Sequence, residues 1–187
     1  MIRSSDIPLK NLPSHALLAA GEISLLLDNY DDIFSSFDPR PYNFRALSDD
    51  FLQEAKRATL DKDGSLELHF LIPESKRDLA LETKIRQRLH EHFKRHREIL
   101  SKEIVDTKHK GFFMALAGIL MIVVASYLSF LESTAFLIHF FIIVLEPAGW
   151  FTAWTGMDEV YYTVRQKKPD LDFHSKMMHA SILFNSY

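Results

Sequence analysis

The chain of 187 residues contains no cysteine. That absence excludes a disulfide framework, a thiolate zinc site and a cysteine nucleophile. Basic residues are missing from one long interval: the 53 residues from Phe112 to Val164 include no Lys or Arg, and their only acids are Glu132, Glu146, Asp158 and Glu159. All 22 Lys and Arg therefore lie elsewhere. The mean hydropathy of −0.06 averages a polar amino-terminal two-thirds with a segment apolar enough for a membrane, which argues against a wholly soluble protein. No phosphate-binding glycine loop, hydrolase elbow or nucleotidyltransferase signature occurs. With only about 110 residues left for a soluble domain, an enzyme is not expected, and neither is a cofactor. A net charge of −3 gives no global nucleic-acid signal.

What is present divides the chain. Gly111 to Leu131 is uncharged throughout, and at about 1.5 Å per residue it matches a hydrocarbon core of about 30 Å. A second apolar run extends from Ala135 to about Trp154 after the connector Glu132-Ser133-Thr134. The pair predicts a tight transmembrane hairpin. Lys94, Arg95, Arg97, Lys102, Lys108 and Lys110 precede it and Arg165, Lys167, Lys168 and Lys176 follow it, whereas the connector has no basic residue. Both termini are therefore expected in the cytoplasm, with Trp150, Trp154, Tyr161 and Tyr162 as an interfacial aromatic belt. The start, Met1-Ile-Arg-Ser-Ser-Asp-Ile-Pro, lacks signal-peptide features.

The polar part reads as small and mixed α/β. Glu22 to Asp28 turns Ile23, Leu25 and Leu27 inward, and Ser65 to Ile72 does the same with Leu66, Leu68, Phe70 and Ile72. Between them Ser48 stands as the cap of a helix with Asp49 and Asp50 in its first turn. A further helix starts near Ser75, its inward positions Leu81, Ile85, Leu89, His92 or Phe93, His96, Leu100 and Ile104 recurring at three and four; no Gly or Pro interrupts Glu74 to Lys110. This predicts a stalk over 76–110, with a coiled coil as one form, running unbroken into the membrane. Its 11 basic and 6 acidic residues suit an anionic inner leaflet, against 7 and 13 in residues 1–75. Pro169 is expected to end the cytoplasmic extension of the second span, and the tail from Ala180 to Tyr187 to add a short strand.

Several residues carry candidate chemistry. Glu146 lies near the midplane of the second span, where an ionisable group marks a functional site by default. Pro147 lacks an N–H and frees the Ile143 carbonyl on nearly the same face. His139, Gly149 and Ala153 extend this stripe, so Glu146, Pro147, His139, Ile143, Gly149 and Ala153 are the candidate pore lining. The alternative is a protonated, hydrogen-bonded Glu146 beside a simple kink. Gly111, Ala115, Gly118, Ala125 and Ser129 form a small-residue seam for helix packing, within the chain or with a neighbour. One hairpin cannot enclose water, so a pore requires a homo-oligomer such as a tetramer. His92 and His96 are an i, i+4 pair, but without a completing acid or cysteine no metal site is expected. The loop Asp28 to Tyr42 joins acids to aromatics and ends in Pro39-Arg40-Pro41. Asp31, Asp32, Asp38, Arg40 and Arg45 are its candidates for ligand or partner binding; an aromatic-anchored packing loop is the alternative.

At this loop and at Leu145-Glu146-Pro147-Ala148-Gly149-Trp150-Phe151-Thr152-Ala153-Trp154, the chain resembles a family of small prokaryotic two-span membrane proteins. It looks like the membrane effectors of the Hailong anti-phage system. That resemblance implies an ion-channel-like protein held inactive by single-stranded DNA oligomers from a partner nucleotidyltransferase and released on infection to depolarise the inner (plasma) membrane. It also implies that the soluble domain binds the oligomer, with Arg40, Arg45 or the stalk's basic residues as contacts. A looser architectural likeness is to calcium uniporters, whose pore helix carries the pair matched by Glu146-Pro147. Their preceding Trp-Asp is replaced here by Ile142 and Ile143, so calcium selectivity does not follow.

The expected architecture is an α+β membrane protein: a cytoplasmic α/β sensor domain (1–75), a helical stalk (76–110), a two-span hairpin with its extension (111–168) and a tail (169–187), assembled as a homo-oligomer in lipid. The expected function is a cation-permeable channel gated by its cytoplasmic domain. A non-conducting anchor or scaffold for a cytoplasmic partner is the rival.

Overall fold

The computed structural model describes residues 22–60, 62, 64, 66–131 and 134–187. The amino-terminal segment, the first two connector residues and Ser65 lie outside these, and with them the expectations placed there. Strand β1 (Glu22–Leu26) leads through a 3-10 turn (Tyr30–Ile33) to helix α1 (Asp49–Thr59), then strand β2 (Glu67–Ile72). Helix α2 (Leu79–Phe130) follows, then α3 (Phe136–Asp158), a π turn (Glu159–Thr163), α4 (Val164–Met178) and strand β3 (Ser181–Ser186).

The fold is mostly helical with a three-stranded, wholly parallel sheet in the order β1-β2-β3. Ile23 is level with Leu68, and Leu68 with Ile182; Phe70 is level with Phe184. The expected tail strand is therefore present, and it adds to β2. Alternation turns one face of the sheet inward: Ile23, Leu68, Phe70, Ile72, Ile182 and Phe184 join Phe51 and Ala55 of α1, Ile85, Leu89 and Phe93 of α2, and Phe173 and Met177 of α4 in one core. Phe70 sits 5.2 Å from Phe184 and 5.9 Å from Phe51, ring centre to ring centre.

The chain divides into two compact units, one holding residues up to His96 with Asp172–Tyr187, the other Arg97–Leu171. This redraws the expected stalk. Ile85, Leu89 and Phe93 are fully buried in the α/β core, so the first turns of α2 are a core helix and not a free coiled coil. Nor is the segment after Pro169 a tail, since α4 passes through that proline to Met178. Proline removes one N–H and its ring crowds the preceding turn, but packing of Phe173 and Met177 holds the helix together beyond it.

Two helix starts also differ from expectation. Ser48 occupies the N-cap of α1 without a side-chain cap bond. Helix α2 begins at Leu79, not near Ser75, because Asp78 caps it: Ala80 N donates to Asp78 Oδ1 at 2.8 Å and Leu81 N at 3.2 Å. Glu74–Lys76 forms a separate 3-10 turn.

Glu82 locks this corner. It is 3 % exposed, and its carboxylate accepts from Arg77 Nε and Nη2, both at 2.9 Å, and from the Tyr30 hydroxyl at 3.0 Å. The same hydroxyl accepts from Asp78 N at 2.9 Å. Burial alone pushes the Glu82 carboxyl up, but the bonds from Arg77 and Tyr30 and the nearby positive charge outweigh it and hold its pKa below the usual 4.5. Removing the carboxylate strands Arg77, so Glu82→Ala is expected to cost about 3 kcal/mol in chemical unfolding at neutral pH. Because the folded pKa is the lower one, this contribution is present above about pH 4.5 and drains away as pH falls through the folded value. Wild type and variant should therefore converge in stability under acid.

Candidate functional site

The apolar helices come first. Two helical stretches, Leu79–Phe130 and Phe136–Met178, are long and apolar enough to cross a membrane, and their most apolar windows are only 17 % and 11 % buried. A core helix of a soluble protein would be mostly covered. Phe112, Phe113, Leu120, Phe136, Ile143 and Phe151 are each at least 60 % exposed.

The small-residue seam of α2 packs against α3 of the same chain. A Cβ on Gly118 would meet the Ala153 backbone nitrogen and lie 2.6 Å from the Gly149 carbonyl oxygen. One on Gly156 would meet the Ala115 nitrogen and lie 2.6 Å from the Gly111 oxygen; one on Gly149 would lie 2.8 Å from the Ile122 side chain. Backbones this close need glycine at the crossing points. Ala125 is also buried, whereas Ser129 is exposed and outside the packing.

This corrects the expected pore lining. Gly149 and Ala153 are buried in the seam against α2, so they do not present a free face. Glu146, His139, Ile143 and Pro147 are exposed in the single chain. At 100° per residue, Glu146 lies about 60° around the helix from Gly149 and about 20° from Ala153, at the edge of the seam but itself exposed. Farther on, Lys167 donates to Glu103 at 3.0 Å, joining α4 to α2.

The loop after β1 is held by its own charges. Asn29 and Asp32 form a capping box, with Asp32 accepting from Asp28 N at 2.7 Å and Asn29 N at 3.0 Å. Asp31 accepts from Arg45 at 2.6 Å and from the Tyr42 hydroxyl at 3.0 Å. Asp38 accepts from Arg40 Nε at 2.9 Å, Arg40 Nη2 at 2.8 Å and Ala46 N at 2.7 Å. The Arg40 guanidinium beside Asp38, with the Ala46 amide, holds this carboxyl well below the usual carboxylate range. Arg88 of α2 then fastens the loop by donating to the Arg45 carbonyl at 3.0 Å. All five expected ligand residues, Asp31, Asp32, Asp38, Arg40 and Arg45, thus work as internal ties, which is the packing-loop alternative. What the loop does offer outward is Phe37, 95 % exposed, and Phe44, 62 %.

Two clusters were not legible in the sequence, because partners far apart in the chain complete them. On the outer face of the sheet, Glu22, Glu67 and His69 bring three ligand atoms within 4.8 Å of one another, and the Asn185 amide lies 2.8 Å from His69 Nδ1. At the inner end of α4, His174 joins His92 and His96. Their ring centres are 4.2 Å (92 to 96), 5.3 Å (96 to 174) and 6.3 Å (92 to 174) apart. Burial, with positive charge from His96, Arg88 and His174, pushes the His92 pKa down to about 3; burial also lowers that of His96.

Comparison with family models, with curated proteins and with solved structures finds no match to this chain. The geometry alone therefore carries the functional reading. Its tightest element is the seam, and Gly118→Val is expected to force α2 and α3 apart, costing about 1–3 kcal/mol. Thermal unfolding in detergent checks this, with Ser129→Val on the same helix as the neutral control.

Proposed function

We propose that the chain is an oligomeric, ion-conducting membrane effector whose two apolar helices span the bilayer and whose α/β unit controls it from the cytoplasm. One observation carries the reading. Glu146 stands on a face of α3 that the chain's own hairpin leaves uncovered. A carboxyl at that depth in lipid is costly, so other copies of α3 must cover it, and a ring of such carboxylates around water prefers cations. Pro147 supplies a loosened turn next to it. The pore wall of this proposal is Glu146 with His139 and Ile143; Gly149 and Ala153 act behind it as packing.

Strand pairing supports the topology. β2 precedes the hairpin and β3 follows it, and the two are neighbours in one sheet, so both flanks of the hairpin belong on one side of the membrane. The basic flanks of the spans put that side in the cytoplasm, and the plasma membrane of a prokaryote is the setting we assign. The likeness to Hailong effectors adds the signal: a single-stranded DNA oligomer from a partner nucleotidyltransferase, held by the exposed Lys94 and Arg95 of α2. A second reading, a non-conducting anchor for a cytoplasmic protein, is favoured by Phe37 and Phe44, each of which exposes a large apolar ring to a partner.

Ion flux through the purified protein in liposomes separates the two. For the channel, Glu146→Gln lowers the preference for cations over anions about tenfold while oligomer mass stays the same. Identical currents, or an assembled protein that never conducts, would move the assignment to the anchor.

A further inference from the structure

His92 and His96 lie one turn apart on α2, and His174 reaches them from α4, more than seventy positions later in the chain. His92 Nε2 is buried with no hydrogen-bond partner among the described residues, while His96 keeps the cluster open to solvent on one side. A buried imidazole nitrogen left without a partner costs free energy unless something occupies its lone pair or takes its proton. Phe93 and Phe173 close the other side, with ring centres 5.7 Å and 5.1 Å from that of His174.

From these observations we infer that His92, His96 and His174 form a binding site for a divalent transition metal of the zinc class, which clamps α2 to α4. Three imidazoles without carboxylate or thiolate select zinc, nickel or copper over magnesium and calcium. The spacing fits. With zinc to nitrogen at about 2.1 Å, a ring centre sits about 3.2 Å from the ion, and tetrahedral angles put ring centres about 5.2 Å apart. The observed separations, 4.2, 5.3 and 6.3 Å, bracket that value. The planes of His96 and His174 are only 17° apart, so their nitrogens converge on one ion only after rotation about the side-chain torsions. Solvent on the His96 side leaves room for a fourth, water ligand. Arg88 and Arg95, close enough to act on these rings, add positive potential, so the ion is held by coordination and not by net charge.

The clamp joins the helix that leads into the hairpin to the helix that returns from it, which is a further role beside conduction and does not depend on it. The full-length protein, stripped with a chelator and titrated with zinc, then with cobalt as a spectroscopic probe, tests the site. The expected result is one equivalent per chain, the intense visible absorption of tetrahedral cobalt and a raised melting temperature. His96→Ala, at an exposed position that leaves the core intact, should weaken binding about 100-fold, and His174→Gln should do the same. His69→Ala and His109→Ala should leave it unchanged. Loss of binding in His69→Ala with retention in His96→Ala would place the metal at Glu22, Glu67 and His69 and overturn the proposal. So would octahedral cobalt spectra, or zinc uptake equal in wild type and His96→Ala.

Discussion

The pairing of β3 with β2 is the constraint on which the rest of the structure depends. Parallel neighbours cannot be joined by a tight turn and need a crossover, and here the crossover, residues 73 to 180, contains both long apolar helices. Closing that pair brings Phe184 onto Phe70 and draws α4 in behind it, so that Phe173 and Met177 complete a core begun by α1 and α2. Without β3 and α4, the sheet would have two strands and an uncovered flank, too little for independent stability. The fold of the α/β unit and the return of the hairpin are thus one requirement.

Within the apolar hairpin, two demands share helix α3. One stripe of small residues lets the backbones approach until carbonyl oxygens contact the facing helix. Beside it runs a stripe with His139, Glu146 and Pro147 that the chain does not cover. The two stripes adjoin on α3, so one helix packs within the chain and keeps an exposed polar edge with Glu146.

Much of this was legible in the sequence, and what was missed shares a cause. Period-two alternation placed β1 and β2 with Ile23, Leu68, Phe70 and Ile72 inward, and the uninterrupted run after Glu74 foretold a single long α2, because both signals are local. The carboxyl-terminal strand, expected over Ala180 to Tyr187, is present as Ser181–Ser186. The reading of 76–110 as a stalk missed that its first turns belong to the core, because Ile85, Leu89 and Phe93 look the same whether they meet another helix or a sheet. Gly149 and Ala153 were set on the pore stripe because helical periodicity groups them with Glu146 within some tens of degrees, which is finer than spacing resolves. The loop's aspartates and arginines resemble a ligand site in sequence, yet pair with one another at 2.6 to 3.1 Å. His174 is beyond any local pattern.

The late position of β3 has a consequence for biogenesis. Ile182 and Phe184 are core residues made after the hairpin, so the sheet stays open on the ribosome until the apolar helices have been synthesised. The contacts that close it are among the longest-range in the chain, and such contacts form slowly. During that interval an exposed β2 edge and a half-covered core are vulnerable to aggregation. The sheet is therefore completed only by residues that follow both apolar helices in the chain.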